Sequence, residues 1–224
     1  MRSGREEILA RIRASLSQVR ADASHAKPEV AAASCRQHEA VGGETRREEP
    51  GTRSHLQARL VEELQALGAR VCVAADGTAA REYLVRLAAE KGGKALVARR
   101  PLVESLRLEG ERFHPYGSFP AQEAALSITQ ADYALADTGT LILLAGAGEG
   151  RALSLLAPVN ATLLPASRIL SDLDELFRQE PCATERSSDL VFTTGPSRTA
   201  DIELTLTIGV HGPGELHVVV LADT

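Results

Sequence analysis

The feature that most constrains this chain lies near its end. Residues 216–221 read Leu-His-Val-Val-Val-Leu, an almost continuous run of apolar, strand-forming residues. A strand with one wet face alternates apolar and polar side chains, whereas a run without alternation is buried on both faces. This strand is therefore expected to be central, in a sheet covered on each side. Helical and extended patterns alternate upstream of it. Leu56, Leu60, Leu64 and Leu67 line one face of a helix that Gly68 ends. Residues 71–74 read as a strand, 78–91 as a helix stopped by Gly92 and Gly93, and 95–98 as another short strand. Such alternation builds a parallel sheet with helices on its faces.

The middle of the chain reads differently. Residues 133–136 and 141–145 are apolar runs separated by Asp137, Thr138, Gly139 and Thr140, a spacing that suits two antiparallel strands joined by a tight turn. Residues 161–165 form a further strand candidate. Ser171 and Asp174 open a helix carrying Leu173, Leu176 and Phe177, and 190–193 reads as a buried strand. A helix is expected over 200–207. The expected fold is thus α/β, with a mixed, largely parallel sheet covered by helices.

The ends of the chain differ in character. Ser3 and Glu6 have capping-box spacing, and Ile8, Leu9, Ile12, Leu16 and Val19 follow at helical intervals. Residues 1–20 are read as one amphipathic helix. Residues 21–51 are rich in Ala, Glu, Arg, Ser and Gly, have little to bury, and are read as a flexible linker. The main domain is placed at 52–224. No internal repeat is visible. With 44% hydrophobic residues a large core is possible, but aromatics are only 3% and Trp is absent, so that core must be aliphatic.

Charge and cysteines exclude several functions. The formal charge is −5 and the pI about 5.7, so a basic nucleic-acid footprint is not expected. Cys35, Cys72 and Cys182 are far apart, and no C-x-x-C pair exists. That argues against an iron–sulfur cluster or structural zinc held by this chain. The charged N-terminus has no apolar signal region, and no apolar run reaches the roughly 20 residues that cross a bilayer. A cytoplasmic, reduced location is expected, with no metal and no cofactor.

Four elements could carry chemistry. The first reads Thr194-Gly195-Pro196-Ser197-Arg198-Thr199-Ala200-Asp201-Ile202-Glu203. Read as a loop between a buried strand and a helix, it would lie where open α/β sheets bind ligands, beyond a strand's carboxyl end. Gly195 permits close backbone approach, Ser197 and Thr199 can cap a helix or touch a ligand, and Arg198 can pair with an anion. Asp201 and Glu203 would already satisfy the helix dipole, so a capped turn without a ligand reads equally well. The second is Gly209-Val210-His211-Gly212-Pro213, which offers a general acid or base between glycines. His211 and His217 lack ligand spacing on any single element, which disfavours a metal. The third is Asp137-Thr138-Gly139-Thr140. It matches the aspartic-protease signature, but that chemistry needs two carboxylates sharing a proton and the chain has one copy. A turn whose Thr138 and Thr140 hydroxyls face a ligand fits better. The fourth is Gly146-Ala147-Gly148-Glu149-Gly150-Arg151. Arg151 stands where the dinucleotide fingerprint needs glycine, so the segment reads as a loop bringing Arg151 towards the site.

Taken together, these stretches resemble the lactate-utilisation protein C family, the LUD-domain proteins. The resemblance is carried by Ala131-Asp132-Tyr133-Ala134-Leu135-Ala136-Asp137-Thr138-Gly139-Thr140, by the segment from Thr194 to Glu203, and by Gly209 to Pro213. The opening Arg5-Glu6-Glu7-Ile8-Leu9-Ala10-Arg11-Ile12-Arg13 adds to it. Asp137 is a departure, since many relatives carry Glu there. The resemblance implies a fold similar to the sugar-phosphate isomerases and coenzyme A transferases. It also implies membership of a three-protein system that oxidises L-lactate to pyruvate, with the iron–sulfur clusters in sister subunits.

Three functions then compete. The chain is a non-redox subunit of that system, binding a small carboxylate or a partner through Thr138, Gly139, Thr140, Arg151, Gly195, Pro196, Ser197, Arg198 and Thr199. Alternatively it is a free-standing isomerase- or transferase-type enzyme, with Glu203 or Asp201 as base and His211 as acid. The third reading is an assembly or regulatory module whose tethered helix docks on a partner.

Overall fold

The computed structural model describes residues 50–144, 152–180, 187, 189–200, 206–209 and 211–222. The expected helix at 1–20, the linker up to residue 49, the Gly-rich segment with Arg151, and Asp201 and Glu203 lie outside the described residues.

In chain order the elements are α1 (Pro50–Ala66), β1 (Arg70–Ala74), α2 (Gly77–Lys91), β2 (Ala95–Val97), α3 (Pro101–Ser105), β3 (Phe113–Pro115), β4 (Leu126–Gln130), β5 (Tyr133–Leu135) and β6 (Thr140–Leu144). They continue with α4 (Leu153–Leu156), β7 (Val159–Pro165), β8 (Ile169–Leu170), α5 (Leu173–Gln179), β9 (Leu190–Thr193), β10 (Arg198–Ala200), β11 (Leu206–Ile208) and β12 (Glu215–Leu221). Six strands form a sheet in the order β1-β12-β7-β4-β2-β3, with every adjacent pair parallel. The remaining strands stay out of it. β8-β5-β6-β9 make a second, mixed sheet, and β10 and β11 pair as a separate antiparallel ribbon.

The apolar run does what its composition demands. β12 lies inside the sheet, and residues 216–220 are buried. Val219 faces a core built with Ala80, Leu84, Leu87 and Ala88 of α2. Leu216, Val218 and Val220 face the other core, where Leu56, Leu60 and Leu64 of α1 meet Ala134, Leu141 and Leu143 of the second sheet. Each fully buried leucine contributes about 1.5–3 kcal/mol relative to exposure, so the aliphatic layers suffice without tryptophan. α2 begins where Asp76 accepts from the Ala79 N–H at 2.8 Å and ends before Gly92, whose φ of 65° suits glycine. α5 is capped by Asp172, one residue after the Ser171 expected to open it.

Two expectations near the C-terminus change. β9 is an edge strand with half-buried and exposed residues, paired antiparallel with β6, so it is not a buried strand. Residues 200–207 do not read as one helix, because Arg198, Thr199 and Ala200 pair with Ile208, Thr207 and Leu206. The sequence Ile202-Glu203-Leu204-Thr205-Leu206-Thr207-Ile208 alternates strictly with period two and is rich in β-branched residues. That pattern favours a ribbon over a helix. β3 and β4 were absent from the strands expected from sequence.

Candidate functional site

Two of the three signature segments converge on the carboxyl end of α1. The β5–β6 turn carries Gly139 at φ 64°. A Cβ there would lie 3.0 Å from Leu67 Cδ1 and 3.1 Å from the Glu63 carbonyl carbon. Gly195, at φ 105°, approaches the same Leu67, where a Cβ would sit 3.3 Å from both its Cβ and its carbonyl oxygen. Arg198 Nη2 donates to Leu67 O at 2.6 Å, giving a cation and a donor to the last turn of α1. The His211 segment joins from the other side. The Ser197 N–H donates to Pro213 O at 2.8 Å, and the Gly209 N–H donates to Ser197 O at 3.0 Å. A side chain at Gly212 would come within 3.1 Å of Ser197 Cβ.

A chain of hydroxyls runs across this junction. Thr140 Oγ1 is 2.9 Å from Thr138 Oγ1 and 2.9 Å from Thr194 Oγ1, and the Thr138 hydroxyl also donates to Asp137 Oδ1 at 3.1 Å. Thr140 is buried, while Thr138 and Thr194 are exposed. The ladder thus has a buried middle and two wet ends. Hydroxyls donate and accept, so they can reorient to match a ligand or a partner's polar group. His211 and Arg198 are exposed beside it, and Pro196 is half-buried. Thr199 pairs with Thr207 through the ribbon.

The place of this junction differs from the expectation. It adjoins the amino end of β12, where the Gly214 N–H donates to Pro158 O at 2.9 Å. The strand preceding Thr194 belongs to an antiparallel pair, and Thr194 is followed by β10, not by a helix. The rule for carboxyl ends of parallel strands, and the helix dipole, therefore do not apply to it. At the carboxyl end of β12 a separate open cleft of about 510 Å³ is lined by Gly77, Thr78, Arg81, Ser105, Leu106 and Arg107, and none of the described signature residues lines it.

Two polar clusters were missed from sequence. Asp132 pairs with Arg100 and accepts from the Leu144 N–H at 2.8 Å, tying the second sheet to the loop after β2. The other cluster surrounds His217, which is 2% exposed. Its Nδ1 is 2.7 Å from Tyr83 Oη and its Nε2 3.5 Å from Glu215 Oε2. Lys91 Nζ donates to both Glu215 oxygens, at 2.9 and 2.7 Å. Burial pulls the His217 pKa down, against the opposite pull of Glu215, while the Lys91 hydrogen bonds lower that of Glu215. Tyr133 is pushed up to about 12 by burial and by its hydrogen bond to Glu180. The available signal was His217 itself, since a polar residue inside an apolar strand requires a buried partner.

Among the described residues, no group of three His, Cys, Asp or Glu side chains could hold a metal ion, and no helix is long and apolar enough to cross a membrane.

Residues 120–221 match the LUD domain model. It is 38% identical over 119 residues to "Lactate utilization protein C" of Halalkalibacterium halodurans, covering 51% of this chain and 50% of that protein. It is 36% identical over 107 residues to the protein of the same name in Macrococcus caseolyticus, covering 46% of each. The chain thus spans about half the length of the curated relatives it matches. A DUF162 family protein from Deinococcus radiodurans shares the fold at a TM-score of 0.58 and 20% identity, over 75% of this chain and 98% of that one.

Proposed function

We propose that this chain serves L-lactate utilisation as a subunit with no redox cofactor of its own. The observation that carries the reading is the convergence of the three signature segments, in a chain whose matched relatives are named for lactate utilisation. Glycines 139 and 195 are used for close packing on α1, which leaves Thr138, Thr194, Arg198 and His211 displayed outward. Such a surface, formed by polar groups around a rigid helix end, suits recognition of a small carboxylate or of a partner's polar loop. In this reading the iron–sulfur clusters that oxidise L-lactate to pyruvate reside in sister proteins, and the complex works in the cytoplasm.

Deleting the gene tests the proposal. Growth on L-lactate should fail while growth on glucose continues, and iron–sulfur proteins should co-purify with the tagged chain from lactate-grown cells. Normal lactate growth in a strain without a second copy would overturn it.

A further inference from the structure

His217 lies in β12 with Arg70 of β1 beside it on one flank and Ala161 of β7 on the other. A neutral ring protonated on Nε2 satisfies both observed contacts. Tyr83 donates its hydroxyl to Nδ1 at 2.7 Å, and Nε2–H points to Glu215 at 3.5 Å. Glu215 is in turn held by Lys91. Tyr83 and Lys91 both belong to α2, about two helical turns apart. The strand therefore grips the second half of that helix at two points through one His/Glu pair.

We propose that this arrangement is an acid-sensitive latch: neutral His217 fastens the C-terminal half of α2 to the amino edge of β12, and protonation loosens it. Protonation turns Nδ1 into a donor, so Tyr83 must rotate its hydroxyl to accept and withdraw its own proton from the ring. The new charge also enters a crowded set. α2 contributes Tyr83, Arg86, Glu90 and Lys91, β1 contributes Arg70 and Cys72, and β12 contributes Glu215. Glu215 already serves two cations, Lys91 at 2.7 Å and Arg70 at 3.5 Å, and Glu90 is itself 3.5 Å from Lys91. A third cation has no carboxylate of its own.

The sign follows from linkage. In the closed form burial holds His217 below its ordinary 6.5; once α2 lifts, the ring regains an ordinary value. Between these two values the open form binds a proton that the closed form does not. Opening therefore rises as pH falls below about 6.5, by up to roughly tenfold per pH unit. The consequence reaches further than α2. Glu215 follows Gly214 directly, and Pro213 O accepts from Ser197 N–H, so loosening at Glu215 is transmitted to the signature loop. The latch does not depend on the lactate reading.

Hydrogen exchange of the full chain at about pH 7.5 and about pH 5.5, corrected for intrinsic rates, tests it. Amides of residues 83–91 should lose protection at the lower pH, by up to roughly tenfold, while those of residues 56–66 in α1 hold theirs. His217→Gln should abolish the difference. Equal behaviour of the two helices at both pH values, or the same loss in His217→Gln, would overturn the latch. Should that variant fail to fold, Tyr83→Phe decides. Removing the hydroxyl that donates to Nδ1 brings the closed form's proton affinity nearer that of the open form, so the loss of protection between the two pH values should shrink, and an unchanged loss counts against the proposal.

Discussion

Two hydrogen-bonded clusters flank the amino end of β12, and they are built on opposite principles. The threonine ladder of Thr138, Thr140 and Thr194 is neutral, has wet ends, and stands on glycines pressed against α1. The His217 cluster is ionised around a buried ring and locks a helix to a sheet. In the first, backbone shape matters most and each hydroxyl is worth little. In the second, charge matters most and each partner left alone is costly. The difference separates a surface suited to recognition from a device suited to holding parts together.

Substitutions can break or sharpen this contrast. The largest effect is expected at Gly139→Val. Left-handed strain costs about 1–2 kcal/mol and the clash with Leu67 and Glu63 about 1–3 more, so denaturant unfolding should show a loss of several kcal/mol. The same substitution at Gly117, which has φ 91° but where an added Cβ would meet nothing within 4 Å, should cost only the strain. Equal losses at both would mean that packing against α1 is not what Gly139 serves.

Glu215→Gln comes next. It leaves Lys91, only 17% exposed in its side chain, with Glu90 at 3.5 Å in place of the 2.7 Å contact. A loss of about 1–2 kcal/mol is expected, discounted because Glu215 itself is 38% exposed. Thermal unfolding at low and high salt would register it, and the gap between variant and parent should narrow as salt rises. A gap independent of salt would point to packing instead of charge.

The smallest effect on stability is expected for Thr194→Val, within about 0.5 kcal/mol as for an exposed position. Its effect on growth with L-lactate should nevertheless be clear if the ladder recognises a ligand or partner. Unimpaired growth would reduce the ladder to scaffolding.

What sequence could reveal follows the same division. The central strand, α1 and α2 were legible because burial on a fixed period marks them. The β5–β6 hairpin was legible from its turn. The company of the three signature segments was also legible, through motifs that resemble a family. The ribbon of β10 and β11 was misread because Ser197 and Thr199 look like helix caps, although Ile202 to Ile208 alternates. β9 reads as buried from sequence because apolar residues also fill edge strands. His217 itself signals a buried partner, but sequence does not say which residue that partner is. Tyr83 and His217 are separated by 134 positions, and no local pattern pairs them.

The bond from Arg198 to Leu67 O has a consequence for biosynthesis. It spans 131 positions, and the signature surface also needs Pro213 to hold Ser197. Contacts of such range close late, after the shorter loops have formed. During translation, residues up to the β5–β6 turn emerge first and must wait for residues 194–213. A chain interrupted shortly before residue 213 has five of the six strands of its parallel sheet encoded but lacks β12 and the carbonyl that holds Ser197, so the signature loop stays unassembled.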